Sequence, residues 1–159
     1  MKARVESVFN CEMEQVIKYV KRSDTLDFIA SPILKFIPID PDRYPVQWEN
    51  GKYQVKMKLF SLIPFGKQYI HIEKVKENDP VEYIIRDNGS GDIIRKWDHW
   101  IYISSKSHTK QTKYVDEIEI KAGALTFIVW CFANIFYRWR QYRWKILIAN
   151  AFRQLENKI

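Results

Sequence analysis

Residues 124–155 read ALTFIVWCFANIFYRWRQYRWKILIANAFRQL and contain neither glycine nor proline. With both helix breakers missing, the run predicts one long C-terminal helix from Ala124 to Leu155. At about 1.5 Å per residue it would reach nearly 50 Å, so its far end is expected to bend or overhang. Leu125, Ile128, Val129, Phe132, Ile135, Phe136 and Trp139 recur at spacings of three and four, and Ile146 and Leu147 continue the stripe. So broad an apolar face needs an equally apolar surface against it.

The middle of the chain supplies that surface. From Ile33 the apolar period changes to two: Tyr53, Val55, Met57 and Leu59 alternate with Gln54, Lys56 and Lys58. Strands are expected over Ile33–Ile39, a run ending at Leu59, Gln68–Val75, Val81–Asp87, Ile93–Ser104 and Lys110–Ile120. Their punctuation is Asn50-Gly51, Leu62 to Gly66, Asn78-Asp79-Pro80, Asn88 to Asp92 and a Ser-Lys-Ser-His turn ending at His108. Connections this short imply an antiparallel meander. Upstream lie a strand, Ala3–Asn10, and a helix capped by Asn10 with Met13, Val16, Ile17 and Val20 on one face. A second short helix runs from Ser23 to Ala30 and is ended by Ser31-Pro32. The order β-α-α-β6-α defines an α+β, helix-grip architecture over a single domain, residues 1–159. A curved antiparallel sheet wraps the C-terminal helix, and the two small helices plug one end.

A chain of 159 residues can build a real core, and 15% aromatic residues is rich. The formal charge of +7 favours anionic partners or surfaces weakly. Cys11 and Cys131 fit no metal-ligand spacing and read as reduced, buried thiols. Met1 to Glu6 is charged and no apolar signal core follows, so a cytoplasmic location is expected. The most apolar run, Ala124 to Tyr137, is too short to span a bilayer. There is no glycine-rich phosphate loop, no metal-ligand spacing, no nucleophile elbow and no paired-aromatic RNA signature. No metal, no cofactor and no nucleic-acid partner are therefore expected.

Strand alternation assigns side chains to faces. If Trp97, Ile101 and Ile103 face inward, so does His99. If Tyr83 and Ile85 face inward, so does Asp87, and Tyr114, Ile118 and Ile120 carry Asp116 with them. The expectation is a buried polar cluster, Asp87–His99–Asp116, on three neighbouring strands. In one reading His99 is a general base or ligand anchor oriented by an aspartate. In the other the three residues satisfy one another and pin the strand register. By the same parity Tyr53, Met57, Tyr83, Trp97, Tyr114, Phe132, Phe136 and Trp139 form the wall of a pocket, or else fill it as a solid core. His71 is expected to face solvent. Leu62, Ile63 and Phe65 make an apolar turn suited to a pocket gate or a peripheral membrane contact. Arg138, Arg140, Arg143, Lys145 and Arg153 give the late helix a basic, solvated face that would suit an anionic membrane.

The order of elements and several motifs resemble the START-like, or Bet v 1-like, superfamily of SRPBCC proteins, over nearly the whole chain. More narrowly the chain is similar to short stand-alone bacterial members labelled polyketide cyclase-like or cell-division inhibitors. The motifs are Asp87 before Gly91, Trp97-Asp98-His99, Thr112 to Ile120, and Tyr137-Arg138-Trp139-Arg140. A second histidine two positions after the first in those relatives is Ile101 here. The resemblance implies a deep cavity between helix and sheet that binds hydrophobic small molecules, without implying catalysis. The expected function is thus binding of a lipid-like or polyketide-like compound. The rivals are a cyclase- or dehydratase-type enzyme using His99, and a membrane- or protein-docking module.

Overall fold

The computed structural model describes residues 1–76, 80–106 and 109–156; Asn78-Asp79 and His108 lie outside the described residues. In chain order the elements are β1 (Lys2–Phe9), α1 (Met13–Val20), α2 (Ser23–Ala30), β2 (Leu34–Asp40), β3 (Gly51–Leu59) and β4 (Ile63–Lys76). Then come β5 (Glu82–Gly91), β6 (Lys96–Lys106), β7 (Gln111–Lys121), α3 (Thr126–Ala149) and a single turn, α4 (Arg153–Glu156). The strands form one antiparallel sheet of seven in the order β1-β7-β6-β5-β4-β3-β2. This is the α+β helix-grip arrangement expected from the sequence.

The two halves of the sheet differ. Registers are continuous from β5 through β6 and β7 to β1. Across β2, β3, β4 and β5 each ladder carries one shift, at Pro38/Asp40, Lys56/Lys58 and Lys74/Lys76. A register shift bends its strand and increases local twist. The helix α3 rests on β1 and β7 in the straight half and on α2. The bent half curls away from it. Two apolar cores result. One joins α1, the inner sheet face, Trp144 and Leu155, and the other joins Ile118, Ile120, Val129, Ala133 and Phe136.

The long helix is shorter than the missing breakers suggest. It ends at Ala149, about 36 Å from its start. Ala151 and Phe152 then take left-handed backbone angles, φ 48° and 59°. That reversal brings the Phe152 ring onto Tyr19 with centroids 3.8 Å apart and planes 1° from parallel, and it buries Leu155 completely. Burying two large apolar side chains stabilises by about 4 kcal/mol, which offsets a cost of about 1–3 kcal/mol for each of the two left-handed residues. The buried stripe is also rotated from the expected one. It runs through Val129, Ala133, Phe136, Tyr137, Arg140, Gln141, Trp144 and Leu147, while Leu125, Ile128 and Ile135 are exposed.

Other local expectations are corrected. Asn10 does not cap α1: Glu12 holds that position without a side-chain bond, and Asn10 Oδ1 accepts from Gln111 Nε2 at 2.8 Å. Asn50-Gly51 is no hairpin, because residues 46–49 pair only through a lone Arg22–Gln47 bridge; Asn50 Oδ1 accepts the Lys74 N–H instead. The β3–β4 turn is Phe60-Ser61-Leu62, with φ 49° and 62° at its first two residues, and Ile63 to Gly66 already belong to β4. Cys11 and Cys131 are free and half-buried, not fully buried. Among the described residues no helix is long and apolar enough to cross a membrane.

The stretch Asn88 to Asp92, which reads as a turn, is mostly strand. A Cβ on Gly91 would lie 2.6 Å from the Lys67 carbonyl oxygen, and one on Gly89 would lie 3.0 Å from that of Tyr69. The glycines are there because backbone approaches closely. Gly91→Ala is expected to lower unfolding free energy by about 1–3 kcal/mol, read by denaturant titration. An unchanged midpoint would mean that β4 and β5 are not so close.

Candidate functional site

Between the bent half of the sheet and α3 lies a cavity of about 360 Å³. That is within the range of small-molecule sites. Aliphatic and aromatic side chains dominate its wall: Ile70, Ile72, Ile85 and Ile101 from the sheet, Val129 and Phe132 from α3. Ile93, Leu125 and Ile128 also line it and are 39%, 47% and 65% exposed, which places the mouth beside the first turns of α3. Trp144 and Val20 line the opposite, closed end.

Of the expected site residues, Met57, Asp87, Trp97, His99, Phe132 and Phe136 line this cavity. Tyr53, Tyr83, Tyr114, Asp116 and Trp139 do not. Tyr53 sits edge-on against Trp48, its hydroxyl donating to the Glu49 carbonyl. The Tyr83 ring is wholly buried, with the Lys21 ammonium 5.1 Å from its centroid. Tyr114 is wholly buried between Phe9 and Trp144. Trp139 turns outward along the helix and donates to the Ser31 carbonyl at 3.0 Å. The three tyrosines face the inner layer by strand parity, but parity does not say which inner positions meet helix and which meet the gap.

Of the expected cluster, His99 and Asp116 pair with each other, and Asp87 bonds elsewhere. His99 lies opposite Asp87 on β5 and opposite Ile118 on β7, so Asp116 reaches it diagonally. His99 Nε2 and Asp116 Oδ1 are 2.7 Å apart, and both residues are buried. Gln141 of α3 donates to Asp116 Oδ2 at 2.9 Å and to the Val5 carbonyl at 2.8 Å, tying helix, β7 and β1 together. Burial pulls the His99 imidazole below its usual value, against the pull of Asp116. A neutral ring donating from Nε2 keeps Nδ1 as its lone-pair acceptor.

Asp87 does not join that pair. Its Oδ1 accepts the backbone N–H of His71 at 2.8 Å, between the ladder pairs Tyr69–Ser90 and Ile72–Asp87. Burial pushes its carboxyl up to about 7, while the His71 N–H and the Arg140 charge work the other way. His71 itself is on the outer face, half-buried, 3.7 Å from Glu73.

Sequence reasoning missed two residues. Tyr137 accepts the Trp97 indole N–H at 3.0 Å. Arg140, expected in solvent, is 6% exposed and lines the cavity. Burial opposes its charge most strongly, but Asp116 together with Tyr137 and Tyr114 outweighs burial and keeps the guanidinium protonated. Its position four residues after Phe136 and four before Trp144 is the signal that could have placed it. The remaining basic residues also differ: Arg143 is half-buried, its guanidinium 4.0 Å from the Phe28 ring centroid and donating to the Phe28 carbonyl, whereas Arg138, Lys145 and Arg153 are exposed. Leu62 and Ile63 are exposed, and Phe65 turns inward to the cavity.

No protein-family model matches the chain, and no curated protein matches it in sequence. Solved structures do match it in fold. A START superfamily protein from Mycobacterium smegmatis superposes with a TM-score of 0.65 at 13% identity, covering 94% of this chain and 98% of that one. An AHSA1 protein from Silicibacter pomeroyi gives 0.61 at 10% identity over 95% and 99%. A hypothetical protein from Helicobacter pylori gives 0.67 at 7% identity over 90% and 84%. The chain has the START-like, Bet v 1-like helix-grip fold. At these identities the likeness concerns the fold alone.

The Asp87 carboxyl sets a pH dependence. Its folded value, about 7, is above the ordinary 3.8, so its contribution is complete below pH 3.8 and lost as pH rises through 7. His99, shifted down, acts in the opposite sense: its contribution is present above pH 6.5 and lost on acidification. Asp87→Asn keeps the acceptor for His71 and removes the titration. Between pH 5 and 8 the wild type should lose about 2–3 kcal/mol relative to this variant, measured by urea unfolding at each pH. Parallel profiles would show that Asp87 does not titrate there.

Proposed function

We propose that the protein binds a hydrophobic or amphipathic small molecule in the cavity between the sheet and α3, as a carrier or sensor. The observation that carries this reading is the cavity itself. A gap of about 360 Å³ lined mainly by aliphatic and aromatic side chains, open at one end, costs stability unless something fills it. A few polar groups, His99, Asp87 and Arg140, converge on its wall and give a ligand an orientation.

A second reading is favoured by the His99–Asp116 pair. An imidazole held by a carboxylate at a cavity wall suits a general acid or base, as in an enzyme of cyclase or dehydratase type. Turnover of a bound compound with a pH profile set by one imidazole would support the enzyme. Recovery of the compound unchanged after long incubation supports the binder.

Native mass spectrometry of gently purified protein, followed by solvent extraction, is expected to show a co-purified apolar or amphipathic compound. Val129→Trp places an indole in the cavity and should reduce that loading by roughly tenfold while circular dichroism stays unchanged. Equal loading in the two proteins would put the ligand elsewhere.

A further inference from the structure

Arg140 is a buried cation with carboxylates nearby but no direct ion pair among the described residues. The side chain is 94% removed from solvent and lines the cavity. No carboxylate of the described residues lies within ion-pairing distance of it, and its Nε–H has no hydrogen-bond partner among them. The neighbours that could have neutralised it are engaged. Asp116 gives one oxygen to His99 and the other to Gln141, and Asp87 accepts from the His71 backbone. The guanidinium lies 4.9 Å from the Tyr137 ring centroid and 5.9 Å from that of Phe136. A π face attracts the charge but cannot accept the in-plane N–H groups, and the Tyr137 hydroxyl, which favours the charged form as an acceptor, still leaves the Nε–H unpartnered.

We infer that Arg140 is the headgroup anchor of the cavity and that the ligand carries a carboxylate on an apolar chain. This rests on the binding function proposed above and names its chemical class. A planar guanidinium fork matches a carboxylate with two parallel hydrogen bonds, and such charge-assisted bonds are strong where water is excluded. The charge balance selects a monoanion. Asp116 and Asp87 face Arg140 from β7 and β5, with His99 of β6 and the hydroxyls of Tyr114 and Tyr137 as the other titratable groups around it. A dianionic phosphate would add two negative charges beside Asp116, whereas a carboxylate adds one, with the raised Asp87 carboxyl able to stay protonated beside it.

The geometry also orients the chain. Ile128 at the mouth and Arg140 are twelve positions apart on α3, so roughly 18 Å of rise along its axis separates entrance and anchor. The acid enters head first, and its tail lies between Val129 and Phe132 on one side and the sheet isoleucines on the other.

The test is a titration of delipidated full-length protein with dodecanoate and with dodecanol, followed by tryptophan fluorescence, since Trp97 and Trp144 line the cavity. Wild type should bind dodecanoate at least about tenfold more tightly than dodecanol. Arg140→Met should erase that preference and keep dodecanol affinity within about twofold, and Arg140→Lys should retain part of it. If Arg140→Met does not fold, the acid–alcohol comparison in wild type and in Arg140→Lys still decides. Equal affinity for acid and alcohol in wild type overturns the anchor while leaving the binding function intact. A preference that survives in Arg140→Met overturns it as well. Failure of both probes to bind overturns the inference together with the function it rests on.

Discussion

Three register shifts, all between β2 and β5, divide the sheet into a straight half and a bent half, and the cavity depends on that division. A helix can press closely on a sheet only where the sheet keeps one plane. Here α3 rests on β1 and β7, whose ladders are unbroken, and the bent strands leave its other flank. Large side chains close what space they can. Phe9, Tyr114 and Trp144 stack into one plug, with ring centroids 5.1–6.0 Å apart, and the Phe152–Tyr19 stack closes α1 over the helix end. The gap that remains lies between two apolar cores, each well packed on its own.

The sheet's two faces treat charge in opposite ways. On the outer face Arg86 grips Asp98 with two bonds of 2.8 and 2.9 Å, takes Glu73 at 3.0 Å, and covers the Trp100 ring at 4.8 Å. The charges of this network are all paired, so it ties β4, β5 and β6 together and holds the Asp98 carboxyl below its usual range. Of the charged and titratable trio on the inner face, Asp87, His99 and Asp116, Asp116 has both carboxylate oxygens engaged. His99 keeps a nitrogen, Asp87 keeps an oxygen, and Arg140 keeps its Nε–H. A saturated network supports architecture, whereas groups left with bonding capacity beside an apolar cavity have chemistry to offer a guest.

The parts of the fold readable from sequence were those written in local periodicity. Alternation in Tyr53, Val55, Met57 and Leu59 marks β3, and the inward parity of His99, Asp116 and Asp87 follows from their strand neighbours. Parity failed where a third dimension decides. Tyr53, Tyr83 and Tyr114 share the inner face with Met57 and Ile85, but helix and loop cover them, while the latter two meet the cavity. In α3, residues apolar on nearly every side admitted the wrong phase: the helix turns Arg140 and Gln141 inward and leaves Ile128 and Ile135 out.

The chain's own order of residues therefore determined the helix-grip element sequence, the antiparallel pairing and the burial of His99 and Asp116, because side-chain period and short connections constrain these locally. Tertiary structure alone decided the rotation of α3, its end at Ala149, the separation of Asp87 from the His99–Asp116 pair and the stranding of Arg140 in the cavity. Each of those depends on contacts between residues far apart in the chain: Gln141 with Val5, Phe152 with Tyr19, and bent strands with a helix that does not follow them.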